Sequence, residues 1–134
     1  MQVTKGIKPR IVEERGIINI ILDVAKDKAP IKSVMIITSK AGSVRSNHYH
    51  RQDSHYCYVM SGKVQWHEKP TEGNAGEEES ETLEAGDMVF TPPMTVHAAK
   101  FLEDTVMLAF STLGRDQMTN AEYEADTVRV KWIE

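Results

Sequence analysis

Along this chain the apolar and β-branched residues recur at every second position, and glycine- or proline-bearing turns cut them into short runs. A period of two is what a strand with one buried face requires, whereas an amphipathic helix needs 3.6. The runs lie at 7–13, 16–23, 31–39, 43–50, 55–61, 63–69, 81–85, 88–91, 96–101 and 105–112. Lys40-Ala41-Gly42, Ser61-Gly62 and Ala85-Gly86-Asp87 are among the turns between them. Short, regularly spaced strands of this kind predict an all-β antiparallel sandwich or barrel. Residues 113–123 are expected as a loop or helical turn, and 127–133 as a further edge strand. A length of 134 residues suits one domain, 1–134, large enough to bury a core without staples.

Four of the five histidines fall on these strands in two clusters. The first reads Gly42-x5-His48-x-His50-x4-His55-x6-Gly62, and the second reads Gly86-x5-Pro92-Pro93-Met94-x2-His97. His48 and His50, two apart, share one strand face, and His55 shares its face with Cys57 and Val59. If the 43–50 and 55–61 runs pair as a hairpin, three imidazoles converge from neighbouring strands, and His97 closes the site from across the barrel. A lone histidine is more often a polar or capping residue, and a pair at i, i+2 also suits a solvated strand edge. Four at these separations favour a shared metal site, because neutral imidazole is the commonest side-chain metal ligand. The pattern is not the cysteine-rich one of structural zinc, so an open, reactive or ligand-binding site is expected.

The two clusters resemble the paired motifs of the cupin superfamily, G-x5-H-x-H-x3-4-E-x6-G and G-x5-P-x-G-x2-H-x3-N, over 42–101. The resemblance implies a double-stranded β-helix, or jelly-roll barrel, holding one divalent metal at His48, His50, His55 and His97. The chain departs from the motifs at three places: His55 stands for the glutamate, Met94 for the second-motif glycine and Phe101 for the asparagine. The first change leaves an all-imidazole site, which suits zinc, iron(II), nickel or copper. The other two are expected to narrow the barrel mouth with apolar groups.

A narrower resemblance lies in Glu14-Arg15-Gly16, His48-Tyr49-His50, Pro92-Pro93-Met94-x-x-His97 and Glu103-Asp104. These segments are similar to small cupins that isomerise or epimerise nucleotide-linked 4-keto sugars by moving a proton beside a ketone. Histidine suits that role, since its ordinary pKa lies near neutrality. His48 and His50 can thus be read as metal ligands or as the base and its partner. Two other classes stay open: a metal-dependent dioxygenase, and a non-catalytic barrel that binds a metal or small ligand.

Charge and composition exclude more than they assign. The net charge is −4, but Glu72, Glu77, Glu78, Glu79, Glu81 and Glu84 concentrate acidity in one segment read as a solvated hairpin loop. No basic stripe offers a nucleic-acid footprint. The longest apolar stretch, 17–22, is broken by Asn19 and too short to cross a bilayer, so no membrane partner is expected. The single cysteine, Cys57, and the lack of a basic-then-apolar N-terminal segment fit a cytoplasmic protein. The expected partners are a small-molecule ligand and a second copy, as a homodimer. Cys57 is read as a buried structural residue, and Arg45 as outward-facing unless a bulge turns it. Tyr56, Tyr58 and Met60 are read as sheet-to-sheet or subunit contacts opposite His55, and His67 as exposed.

Overall fold

The computed structural model describes residues 1–24, 30–116 and 118–134. Their strands are β1 (Gln2–Thr4), β2 (Ile11–Glu13), β3 (Gly16–Ile18), β4 (Ser33–Ser39), β5 (Val44–His50) and β6 (His55–Ser61). The series continues with β7 (Lys63–Pro70), β8 (Glu79–Glu84), β9 (Met88–Thr91), β10 (Thr95–Phe101) and β11 (Thr105–Ser111). A short helix α1 (Asn120–Asp126) then runs directly into β12 (Thr127–Arg129). Two antiparallel five-stranded sheets, in the orders β1-β9-β6-β11-β4 and β12-β5-β10-β7-β8, face each other as a jelly roll. The pair β2-β3 stands apart as a two-stranded hairpin.

The period of two decides which side chains fill the space between the sheets. On β6, His55, Cys57 and Val59 are buried while Tyr56, Tyr58 and Met60 face outward, as the alternation requires. On β7 the buried set is Val64, Trp66 and Glu68. Cys57, Val59, Val64 and Trp66 join Leu83, Val89, Ala99, Phe101, Met107 and Ala109 in one core. Each large apolar side chain buried there contributes roughly 1.5–3 kcal/mol relative to exposure. Turn chemistry closes the hairpins: a β-carbon at Gly62, whose φ is +93°, would collide with the Asp104 carbonyl oxygen and Thr105. Only glycine fits there. The acidic residues of 72–84 lie exposed, in the β7–β8 connection and along β8, as a solvated hairpin should.

Several expectations need correction. The runs at 7–13 and 16–23 give strands of only three residues each, because β2 and β3 pair with each other and with no larger sheet. Gln2–Thr4 pairs with β9 although three residues carry too little alternation to be read. Within 113–123 the helix begins at Asn120 (Gln117 lies outside the described residues). The expected 127–133 edge strand pairs with β5 only through Arg129. Beyond it the chain crosses the outer face of the second sheet. Asn47 of β5 holds the Ile133 backbone through both atoms of its amide, at 2.8 and 3.1 Å. Trp132 lies against His67 and under the Lys69 ammonium, so His67 is half-buried rather than exposed.

Candidate functional site

β5 and β6 do not form a hairpin. They lie in opposite sheets, and residues 51–54 carry the chain from one to the other. The buried Asp53 carboxylate pins this corner, accepting from the backbone of Thr112 and Leu113 and from the Thr112 hydroxyl at 3.1–3.2 Å. The geometry of the four histidines is therefore the reverse of the expectation. His97 on β10 sits directly opposite His48 on β5 in the same sheet, and His55 reaches them from across the barrel. All four rings still meet. Centroids of His48 lie 4.6 Å from His50 and 4.7 Å from His97, and His55 lies 4.8 Å from His97.

One nitrogen from each of His48, His50 and His97 falls within 4.8 Å of the other two. His55 joins through His97, with their Nε2 atoms 3.2 Å apart. The surrounding hydrogen bonds decide which nitrogens are free. His97 Nδ1 lies 3.0 Å from the Thr95 carbonyl, which can only accept, so Nδ1 carries the proton and Nε2 keeps its lone pair. His50 Nδ1 lies 3.2 Å from Asp126 Oδ2 and 3.3 Å from the Thr127 hydroxyl, which likewise leaves Nε2 free. Trp66 stacks on the His97 ring at 5.9 Å with 8° between planes. Its indole is held by Glu68, which accepts from Trp66 Nε1 at 3.0 Å and from the Thr91 hydroxyl at 2.8 Å.

Electrostatics keep these rings neutral. Burial, then the neighbouring His97 and His50, push His48 down to about 2. Burial likewise takes His97 to about 4 and His55 well below the ordinary value. His50 is lowered by burial and by the Arg115 cation, against the pull of Asp53 and Asp126. Neutral, unprotonated nitrogens are what a metal requires of imidazole. Two nitrogens bound to one tetrahedral zinc at about 2.0–2.1 Å would stand roughly 3.3 Å apart, close to the His55–His97 spacing. The donor set thus fits a divalent ion. Cys57, whose Sγ lies 3.7 Å from His55 Nδ1, belongs to the core, and burial raises its thiol to about 12. It is an inert thiol rather than a nucleophile.

The cluster lines a cavity of about 390 Å³ whose wall also includes Arg45, Arg115 and Tyr123. Arg45 reaches its rim because β5 carries a bulge: Ser46 and Asn47 have φ of 71° and 56°, and the register with β10 shifts beside His97. The extra residue flips the parity and sets Arg45 opposite Ala99, a core position. Its guanidinium bonds the Ser39 hydroxyl at 2.7 Å and the Thr38 carbonyl at 2.9 Å. Met94 and Phe101 do not narrow this mouth. Met94 takes the left-handed conformation at φ 60° on an exposed turn, and Phe101 is buried in the core away from the cavity. Asp53, Ser111, Arg115, Tyr123 and Asp126 were not singled out from the sequence. Thr119-x-x-Glu122, a capping box, was the one local signal that a helix would deliver Asp126.

Comparison with known proteins follows the same lines. The sequence pattern of the cupin domain matches residues 35–112, more than half of the chain. No curated protein matches by sequence. Among solved structures, the fold is similar to QdtA, a sugar 3,4-ketoisomerase from Thermoanaerobacterium thermosaccharolyticum in complex with TDP. That likeness has a TM-score of 0.70 at 18% identity and covers 97% of this chain and 89% of the other. The rmlC epimerase of Mycobacterium tuberculosis gives 0.73 at 19% identity, over 92% and 66% of the two chains. The dTDP-4-dehydrorhamnose 3,5-epimerase of Sulfolobus tokodaii gives 0.65 at 18%, over 84% and 69%. At these identities the likeness carries the fold. With its motifs, facing antiparallel sheets and matched residues in agreement, the chain belongs to the cupin family.

Proposed function

We propose that this cupin binds one divalent metal and isomerises or epimerises a small keto sugar, carried on a nucleotide, by moving a proton next to the carbonyl. The observation that carries the reading is the His50–Asp126 pair at 3.2 Å, buried at the wall of a cavity within the roughly 300–1,000 Å³ of small-molecule sites. Asp126 holds the Nδ1 proton, orients the ring and stabilises the imidazolium that forms when Nε2 takes a proton from carbon. His48, two residues away on the same strand, packs edge-on against the His50 ring with centroids 4.6 Å apart. The solved ketoisomerase and epimerases of the same fold support the choice of substrate class.

His48, His50, His55 and His97 would hold the ion, which supplies a Lewis acid to polarise the carbonyl oxygen. At His50 Nε2, binding an ion and accepting a proton exclude each other. One experiment separates them: turnover of TDP-4-keto-6-deoxyglucose in deuterated water, with and without chelator. The reading expects deuterium at the carbon beside the ketone, with His50→Ala abolishing exchange and Asp126→Asn lowering it about 10- to 100-fold. Exchange that survives chelation assigns His50 Nε2 to the proton. Exchange lost on chelation and restored by added metal assigns it to the ion. Consumption of oxygen in place of exchange would replace the isomerase by a dioxygenase.

The same reading includes a homodimer. Ile11, Val12, Ile17 and Ile18 of the β2-β3 hairpin, with Val34 and Ile36 of β4, are exposed apolar side chains. Surfaces of that kind mark contacts with another chain.

A further inference from the structure

His48 pairs with His97, and Ser46 with Ala98, so Asn47 is an extra residue of β5 with no partner on β10. Ser46 and Asn47 take φ of 71° and 56°, the left-handed region that most side chains avoid. Were the bulge ironed out from the Ser46–Ala98 pair, Asn47 would stand opposite His97 and His48 opposite Val96. Val96, the neighbour of His97, lines a groove on the outer face of the sheet with Tyr49 and Val128. A one-residue slip sends every side chain beyond it to the other face. The bulge is therefore what lets Arg45 and His48, three positions apart, line one cavity.

A segment distant in sequence holds that bulge. β12 ends at Arg129, opposite His48, and residues 130–134 continue as a strap over the outer face. The Val130 N–H donates to the Asn47 carbonyl at 2.8 Å. The Asn47 amide donates to the Ile133 carbonyl at 2.8 Å and accepts from the Ile133 N–H at 3.1 Å, replacing the rung that β10 does not offer. The strap is moored on two further strands. Trp132 lies 5.9 Å from the His67 ring of β7 with Lys69 Nζ 4.4 Å over it, and Lys100 Nζ of β10 donates to the Glu134 carbonyl at 2.9 Å. Asparagine suits the place, because it tolerates the left-handed region and its amide donates and accepts as a peptide does. We propose that Asn47 and the 130–134 strap form a clamp that positions His48 in the cavity, so that a segment outside the cavity sets how tightly the histidines hold an ion. Its effect on affinity rests on the proposed metal site; the direction of the His48 ring does not.

Asn47→Gly separates the clamp from the bulge, since glycine takes φ 56° more readily than asparagine but has no amide. Ile133→Pro removes the strap's N–H donor without touching β5. The measurements are the histidine Cε1–H signals in proton–carbon NMR spectra of chelated protein, and the affinity for cobalt(II). Each variant is expected to move the His48 signal, leave that of His55 in place and weaken cobalt binding about 10- to 100-fold. The double variant should lose no more than the larger single loss, because both substitutions break one contact. A wild-type His48 signal in both folded variants, or fully additive losses, would overturn the clamp. If Asn47→Gly does not fold, Ile133→Pro decides alone. A wild type that binds no cobalt rejects the metal site of the proposed function, and the ring signals still decide the clamp.

Discussion

Met94 shows what a single residue of the second motif does here. It adopts φ 60°, where its backbone N–H donates to the His50 carbonyl at 2.7 Å, in the position for which related motifs use glycine. A side chain in that conformation costs roughly 1–2 kcal/mol, and glycine would return part of it as a more flexible unfolded chain. Met94→Gly should therefore stabilise the protein by about 0.5–1 kcal/mol, read as a higher urea midpoint with unchanged slope. A lower midpoint would mean that the Met94 side chain packs more firmly than its exposure allows. The four histidines were legible as a group because strand parity and spacing are local properties. Arg45 was not, since one extra residue at Ser46-Asn47 reverses parity without leaving a mark in composition. Asp53, Arg115 and Asp126 were missed for a related reason: they meet the cluster through connections rather than through a repeating pattern.

At the level of elements, the strands from β4 to β11 were legible almost to the residue, because each has one face in the core and a turn at each end. The pairing was not. Adjacent runs such as β5 and β6 suggest a hairpin, yet the jelly roll places them in opposite sheets, and only long-range burial selects that arrangement. The β2-β3 hairpin shows the converse case, with alternation strong enough to predict strands but no larger sheet among the described residues to extend them. A second copy is its proposed partner. Sedimentation equilibrium should give twice the chain mass for the wild type and shift toward monomer for Ile17→Lys. A wild type that sediments at the chain mass would contradict the dimer.

Over the whole molecule, the site stores a pH dependence. Burial sets the folded-state pKa of His48 at about 2 and that of His97 at about 4, below the unfolded value near 6.5. As pH falls through 6.5 the unfolded chain binds protons that the native chain refuses. Stability is complete above that value and drains as pH drops toward 4, by up to about 1.4 kcal/mol per pH unit for each such histidine. Urea denaturation of chelated protein should show a lower midpoint at pH 5 than at pH 7.5; an equal or higher midpoint at pH 5 would mean that the rings are protonated in the fold. His48, His50, His55 and His97 are proposed to act as one unit. The most direct test is elemental analysis of protein purified without added metal, for the wild type and each single histidine-to-alanine variant, with circular dichroism confirming the β fold. About one transition-metal ion per chain is expected in the wild type, with a clear loss in all four variants. A metal-free wild type, or full occupancy in every variant, would contradict such a unit.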